Sequence, residues 1–233
     1  MHEQGSSTFR VILFDNASTD NTIALVEEHF PHIQIITSPE NLGFGKAHNK
    51  ILQHLEPKQP YLCLNPDVAL ENDFIAISQR LIALHPRAAL TGCINDDNNL
   101  VYSTGQMMWA DLRPQCRDFQ KIHPEVQENI YAANGAAAIY SSDYIQASLD
   151  HFGYFFNPNF FLYCEDDEIG LRMQRIGYTV RYCPELRAVH NFGSSKAMSH
   201  FKCWKEALFN RFQLQILHSK IHHLLLYIVL YIL

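Results

Sequence analysis

The stretch Phe9-Arg10-Val11-Ile12-Leu13-Phe14-Asp15-Asn16-Ala17-Ser18-Thr19-Asp20 decides the fold class. Its apolar run ends abruptly at Asp15, as a buried strand does where it opens into a loop, and Ser18 or Thr19 can cap a helix continuing through Ile23, Val26 and Phe30. Strand and helix patterns then alternate. Ile33 to Thr37 reads as a second strand, Gly43 to Leu55 as a helix, Tyr61 to Leu64 as a third strand, and Glu71 to Leu84 as a helix with apolar residues at helical spacing. Such alternation implies right-handed βαβ crossovers, the α/β class and a mostly parallel sheet. Open α/β sheets bind ligands just outside the carboxyl ends of their strands, which singles out Asp15 to Asp20 and Asn65-Pro66-Asp67.

Beyond Ala88 the pattern changes. Ala88 to Ile94 and Leu100 to Trp109 read as strands joined by the turn-rich Asn95-Asp96-Asp97-Asn98-Asn99, and the polar stretch Asp111 to Glu128 reads as a long loop or flap. Ala132 to Tyr140 is a small-residue segment around Asn134-Gly135, suited to close approach of backbone to a ligand or another element. Glu165 to Ile176 has the spacing of an amphipathic helix, Tyr178 to Cys183 that of a strand, and Ala188 to Ser195 reads as a loop containing His190.

The hydrophobic fraction of 47% over 233 residues is that of a folded chain rather than a disordered one. With 18 basic against 24 acidic residues, a formal charge of -6 and no basic block, a nucleic-acid footprint is missing. Six cysteines are scattered without a C-x-x-C pair, and no secretory apolar region opens the chain. Reduced thiols in a cytosolic setting, acting as buried small hydrophobes, fit that usage. The tail from Leu224 to Leu233 is about half the ~20 residues a spanning helix needs. It reads either as a terminal helix on the core or as an interfacial segment, and Lys202, Lys205, Arg211 and Lys220 upstream favour peripheral membrane contact.

Several acidic motifs stand in a fixed order. Asp15-Asn16-Ala17-Ser18-Thr19-Asp20 is followed by Asn41-Leu42-Gly43-Phe44-Gly45-Lys46-Ala47-His48-Asn49, Asn65-Pro66-Asp67-Val68, Asn134-Gly135-Ala136-Ala137, Tyr163-Cys164-Glu165-Asp166-Asp167-Glu168 with Arg172, and His190 with Gly193-Ser194-Ser195. Any one of these is weak evidence, since Asn65-Pro66-Asp67 alone is an ordinary turn and four acids at a helix start complement its dipole. Their order over roughly Val11 to Lys220 resembles family 2 glycosyltransferases of the GT-A fold, within them the rhamnosyltransferase-like branch that builds bacterial surface polysaccharides.

The resemblance implies one domain over residues 1–220, with a nucleotide-binding part at 9–94, an acceptor and catalytic part at 95–220, and an apolar tail at 221–233. It implies a nucleotide-sugar donor, dTDP- or UDP-linked, a lipid-linked glycan acceptor, and a place in the cytoplasm or on the cytoplasmic face of the inner membrane. Mg²⁺ or Mn²⁺ is the implied cofactor, because a hard cation on one or two protein oxygens neutralises a departing diphosphate. Asp67 and His190 are its expected ligands. Asp15 contacts the base or ribose, with Asn16, Asn41, Gly43, Lys46 and Asn65 lining the same crevice. Asp166 is the expected general base and Glu165 the runner-up. Asn134, Gly135, Glu168 and Arg172 belong to the acceptor side, Glu168 pairing with Arg172 four residues on.

One departure stands out. The family carries a strand and helix ahead of the Asp-Asn-x-Ser strand, and before Phe9 this chain has only a short polar stretch. Either the chain starts upstream of Met1 or it is a truncated product, and the Phe9 to Phe14 strand is expected to show an unpaired edge. A catalytically inactive sugar-nucleotide or glycan-binding remnant is therefore the alternative. A nucleotidyltransferase would need a Gly-rich, basic N-terminal loop, which the sequence does not show.

Overall fold

The expected first strand forms as β1 (Ile12–Asn16) and pairs in parallel with β2 (Gln34–Ser38), Asp15 facing Thr37 in the register. The computed structural model describes residues 9–71, 73–108, 114–121, 130–191 and 200–218. The helix between the two strands, α1 (Thr22–His29), begins later than the capping residues suggested. Asp20, rather than Ser18 or Thr19, accepts the N–H of Thr22, at 3.0 Å. Next come α2 (Phe44–Leu52), β3 (Tyr61–Leu64), β4 (Val68–Leu70), α3 (Phe74–Leu84), β5 (Ala88–Asp96), β6 (Val101–Ser103), β7 (Gln106–Met108), β8 (Pro114–Cys116) and β9 (Ala137–Tyr140). The chain closes with α4 (Ser142–Phe152), α5 (Glu165–Gln174), β10 (Thr179–His190) and α6 (His200–His218).

The class is α/β as expected, but the main sheet is mixed rather than mostly parallel. Its order is β3-β9-β5-β10-β4, with β6 added on β5. Only β10 and β5 run parallel in it, while β9 lies antiparallel to both β3 and β5, and β4 antiparallel to β10. The parallel expectation came from the first half, where helices join the strands. The second half inserts β9 between β3 and β5, antiparallel to both.

Side chains alternate across this sheet. Tyr61, Cys63, Ala138 and Tyr140 join Ile51, Tyr144, Ile169 and Met173 on one face, so α2, α4 and α5 cover it. Leu90, Ala137 and Ile139 join Phe74, Ile75 and Ile82 on the other, under α3. Covering both faces explains why β9 is buried at every position and β5 over its first seven, with no polar alternation to read. Among the described residues, β1 and β2 form a sheet of their own. No strand pairs with the free edge of β1 or with the edge of β3 away from β9, the open edge expected of the first strand.

Four sequence expectations shift. Leu100 to Trp109 breaks into β6 and β7 at Thr104-Gly105, and β8 returns from the polar flap to pair with β7. Position 190 ends a strand rather than sitting in a loop, because β10 runs on through a register shift between Tyr182 and Arg187. Helices α4 and α6 carry no motif and emerge only in the structure. No described helix is long and apolar enough to cross a membrane, and the tail and Gly193-Ser194-Ser195 lie outside the described residues. Cys63, Cys93, Cys164 and Cys183 are free and buried, as their scatter implied, and Cys116 is free and half-buried.

Candidate active site

Strand β3 ends in the turn Asn65-Pro66-Asp67, closed by the Val68 N–H donating to the Asn65 carbonyl at 3.2 Å. The chain then enters β4, whose pairing with β10 sets His190 opposite Val68. That register brings two distant residues together: His190 Nε2 lies 3.6 Å from Asp67 Oδ1, and the Asn191 N–H donates to the Asp67 carbonyl at 2.8 Å. Burial lowers the His190 pKa, against the pull of Asp67 and Asp97, so a neutral imidazole able to ligate is favoured. One carboxylate oxygen and one imidazole nitrogen at that separation suit a hard divalent cation that takes its other ligands from phosphate and water. No group of three or more His, Cys, Asp or Glu side chains converges among the described residues, so a cation here depends on its substrate for ligands.

The acidic cluster reaches the same place from the other side. Tyr163 and Cys164 both adopt left-handed backbone, with φ of 72° and 67°, and this double bend turns the start of α5 toward the interior. Asn210 of α6 holds the bend through its side-chain amide, which donates to the carbonyls of Leu162 at 2.7 Å and Tyr163 at 3.0 Å. Strain of this kind persists only where surrounding structure over-determines it. Glu165, Asp166 and Asp167 then border a cavity of about 530 Å³ whose wall also includes Asn65, Asn134, Gly135, Gln106, Tyr102, Cys116, His190 and Arg211.

Environment separates the three carboxyls. Burial raises the pKa of each, and for Glu165 and Asp167 the charge of Asp166 adds to the rise. Asp166 alone receives two backbone N–H groups on its carboxylate, Gly135 to Oδ2 and Asp167 to Oδ1, both at 3.0 Å, with the Gln106 amide at 3.5 Å. Those donors stabilise the anion, so Asp166 is the most readily ionised of the three. Asp167 accepts the Tyr131 hydroxyl, while Glu165 Oε2 is buried without a partner among the described residues. A Cβ at Gly135 would stand 3.4 Å from Asp166 Oδ2, an ordinary contact, and 3.3 Å from the Phe44 ring, which would have to give slightly.

The remaining expected residues fall elsewhere. At the carboxyl end of β1, Asp15 is buried with Oδ2 accepting the Ser18 N–H at 3.3 Å, and its Oδ1 has no partner among the described residues. Asn16 ties this end to the entrance of α2, accepting the Leu42 N–H at 2.7 Å and donating to the Gly43 carbonyl at 3.2 Å. Asn41 accepts the Gly43 N–H at 2.9 Å, and Gly43 sits at φ 78° where a Cβ would meet the Phe161 carbonyl at 2.2 Å. Asn41 and Gly43 therefore shape the crevice rather than line the cavity, and Lys46 is exposed on α2. Phe44, next to Gly43, bridges this end of the sheet to the cavity wall.

Glu168 and Arg172 need correction as acceptor-side residues. They form the expected i,i+4 pair, at 3.0 Å, but in the interior: Arg172 also donates to Ser148 and to the Phe155 carbonyl, and neither residue lines the cavity. Glu168 lies two residues, or about 200° of helix rotation, beyond Asp166, which puts it on the face opposite Asp166. Conversely, Tyr102, Gln106, Cys116 and Arg211 line the cavity without any motif, brought there by the β7–β8 hairpin and α6. Burial with Asp166 and Asp167 nearby pushes the Cys116 thiol up to about 11, so it enters the site as a neutral thiol.

The mixed α/β sheet with its crevice at the strand ends is of the GT-A class. The chain belongs to glycosyl transferase family 2, whose family model matches residues 1–147. It is 25% identical over 202 residues to the N-acetylglucosaminyl-diphospho-decaprenol L-rhamnosyltransferase of Mycobacterium tuberculosis, covering 78% of this chain and 66% of that protein, slightly under two thirds of its length. The solved structure of GalNAc-T7 with UDP, GalNAc and Mn²⁺ matches with a TM-score of 0.64 at 11% identity, over 89% of this chain and 41% of that one. The mannosyltransferase PcManGT from Pyrobaculum calidifontis, in complex with GDP-Man and Mn²⁺, matches at 0.60 and 17% identity, over 95% and 61%. These structural likenesses support the fold, a mixed α/β sheet of GT-A type.

Proposed function

We propose that this protein is an inverting, cation-dependent glycosyltransferase that moves a sugar from a nucleotide diphosphate onto a lipid-linked glycan. L-rhamnose from dTDP-rhamnose is the proposed donor, and the cytoplasmic face of a bacterial inner membrane the proposed setting. The observation that carries the reading is that an anion-stabilised Asp166 and His190 line one cavity, with Asp67 3.6 Å behind the His190 ring nitrogen. The relative from Mycobacterium tuberculosis, by its name, uses a diphospholipid acceptor and transfers L-rhamnose.

In this reading Asp166 takes the proton of the acceptor hydroxyl as that oxygen attacks the anomeric carbon from the face opposite the diphosphate. The N–H groups of Gly135 and Asp167 fix the direction of its lone pairs and favour its anion, while burial favours the neutral forms of Glu165 and Asp167. Asp67 and His190, with Asn65 beside them, would hold Mg²⁺ or Mn²⁺, which when bound neutralises the charge gathering on the leaving diphosphate. The unpartnered Oδ1 of Asp15 is available to an N–H or hydroxyl of the nucleotide.

Thermal-shift titration with UDP and dTDP, with and without Mn²⁺, tests this. Wild type at ligand near 100 Kd should gain about 2.7 kcal/mol, and Asp67→Ala or EDTA should remove most of it. Equal stabilisation in wild type, Asp67→Ala and EDTA-treated protein would sink the cation assignment. A second reading, a donor-binding protein without turnover, is favoured by the strand edges of β1 and β3, both unpaired among the described residues. Nucleotide binding with no nucleoside diphosphate released from any donor would support it.

A further inference from the structure

Helix α6 reaches the cavity with one cation. Its inner face is anchored: Asn210 holds the bend before α5, Leu214 is buried with Phe160 and Cys164, and Arg175 donates to the His218 carbonyl at 3.1 Å. Arg211, adjacent to Asn210, is thereby held at the cavity wall beside Ala207, across from the carboxyls of α5. Arg211 is half-buried, and no hydrogen bond or ion pair to it occurs among the described residues, although its charge acts on Asp167 and Cys164 against the rise that burial gives their pKa values. Apart from His190, whose neutral form burial favours, it is the one basic side chain among the described residues lining the cavity.

An arginine is charged at every accessible pH and offers five N–H donors in a planar fork matched to phosphate oxygens. With no hydrogen bond to a described residue, the donors of this fork are open to an incoming anion. Asp167 feels its charge but burial favours the neutral forms of Glu165 and Asp167, and the Asp166 carboxylate already has two backbone N–H donors. The open donors suit an anion that arrives with the ligand.

We infer that Arg211 is a phosphate-recognising residue of this cavity, its guanidinium donating to the oxygens of a substrate diphosphate. The inference rests on the transferase reading above, which supplies two sources for that group: the nucleotide donor and a lipid diphosphate acceptor. Neither sequence motif nor family-model match, which ends at residue 147, covers Arg211.

Calorimetric binding to wild type, Arg211→Gln and Arg211→Lys separates the sources. One arm titrates UDP or dTDP with Mn²⁺; the other titrates geranyl diphosphate, against geraniol as control, with the nucleotide site already saturated. Loss of one charge-assisted phosphate contact weakens binding roughly 10- to 100-fold in the arm that uses it, with lysine intermediate because it keeps charge but not the fork. Loss in the nucleotide arm assigns Arg211 to the donor, and loss in the geranyl diphosphate arm alone assigns it to the acceptor. Wild-type binding that Arg211→Gln leaves within about twofold in both arms overturns this inference alone. Wild type that binds neither probe overturns it together with the transferase reading. Because no described partner is lost, Arg211→Gln should melt as wild type does, which the same samples check by calorimetry.

Discussion

Replacing Asp166 with asparagine tests the chemistry at its most exposed point. The side chain keeps its shape, but one oxygen becomes an NH₂ facing either the Gly135 or the Asp167 N–H, each now accepted at 3.0 Å. One charge-assisted hydrogen bond is forfeited, worth roughly 1.5–3 kcal/mol. Against that loss, a carboxylate whose ionisation burial opposes is removed, so the two terms largely cancel. A domain of this size moves about 2–4 °C per kcal/mol, and the variant should melt within a few degrees of wild type. Turnover should behave otherwise. Losing a general base lowers kcat by about 10²–10⁴, or roughly 2.7–5.4 kcal/mol of transition-state stabilisation at 1.36 per decade. The assay is release of nucleoside diphosphate from dTDP-rhamnose with an N-acetylglucosaminyl diphospholipid acceptor, alongside calorimetric binding of dTDP, which should not change. Glu165→Gln should cost less. If Asp166→Asn keeps kcat within about tenfold while Glu165→Gln abolishes it, the base is Glu165 and the argument from the backbone donors is wrong.

Other expectations concern pH and packing. Glu165 and Asp167 bind protons more tightly folded than unfolded, so they stabilise the protein fully below the ordinary carboxylate range and this stability is lost as pH rises through their raised pKa values. In cation-free buffer, the melting temperature of Glu165→Gln relative to wild type should therefore climb as pH rises above the ordinary carboxylate range; a constant offset would refute the raised pKa. Gly43→Ala forces a left-handed alanine at φ 78° and puts its Cβ 2.2 Å from the Phe161 carbonyl. It should cost more than the ~1–3 kcal/mol of backbone strain alone, read as a lowered urea midpoint with unchanged slope. Arg172→Ala removes the bidentate buried partner of Glu168 and leaves it, among the described residues, only His218 Nε2 at 3.5 Å, costing up to about 3–5 kcal/mol in the same measurement, while nucleotide affinity of the folded protein stays at the wild-type value.

The α/β class, β1, and the carboxyl-end positions of Asp15 and Asp67 were legible in the sequence because they depend on local signals: apolar runs, turn residues and helical spacing read within a dozen positions. The acidic order also located Asp166 on a helix start. Tertiary structure alone decided the rest. Asp67 meets His190 only through the β4–β10 register, a pairing between segments with no mutual local signal. The mixed sheet arises because β9 inserts antiparallel between β3 and β5, and a strand buried on both faces carries no alternation to show its direction. Glu168 and Arg172 share a motif with Asp166 yet point into the core, since two helical residues turn a side chain by about 200°, and Arg172 follows Glu168 on the same face at i,i+4. Arg211 reads in the sequence only as one of the basic residues upstream of the apolar tail; what gives it a place at the site is the Asn210 contact that fixes α6 at the cavity wall, and such a contact exists only once the chain has folded.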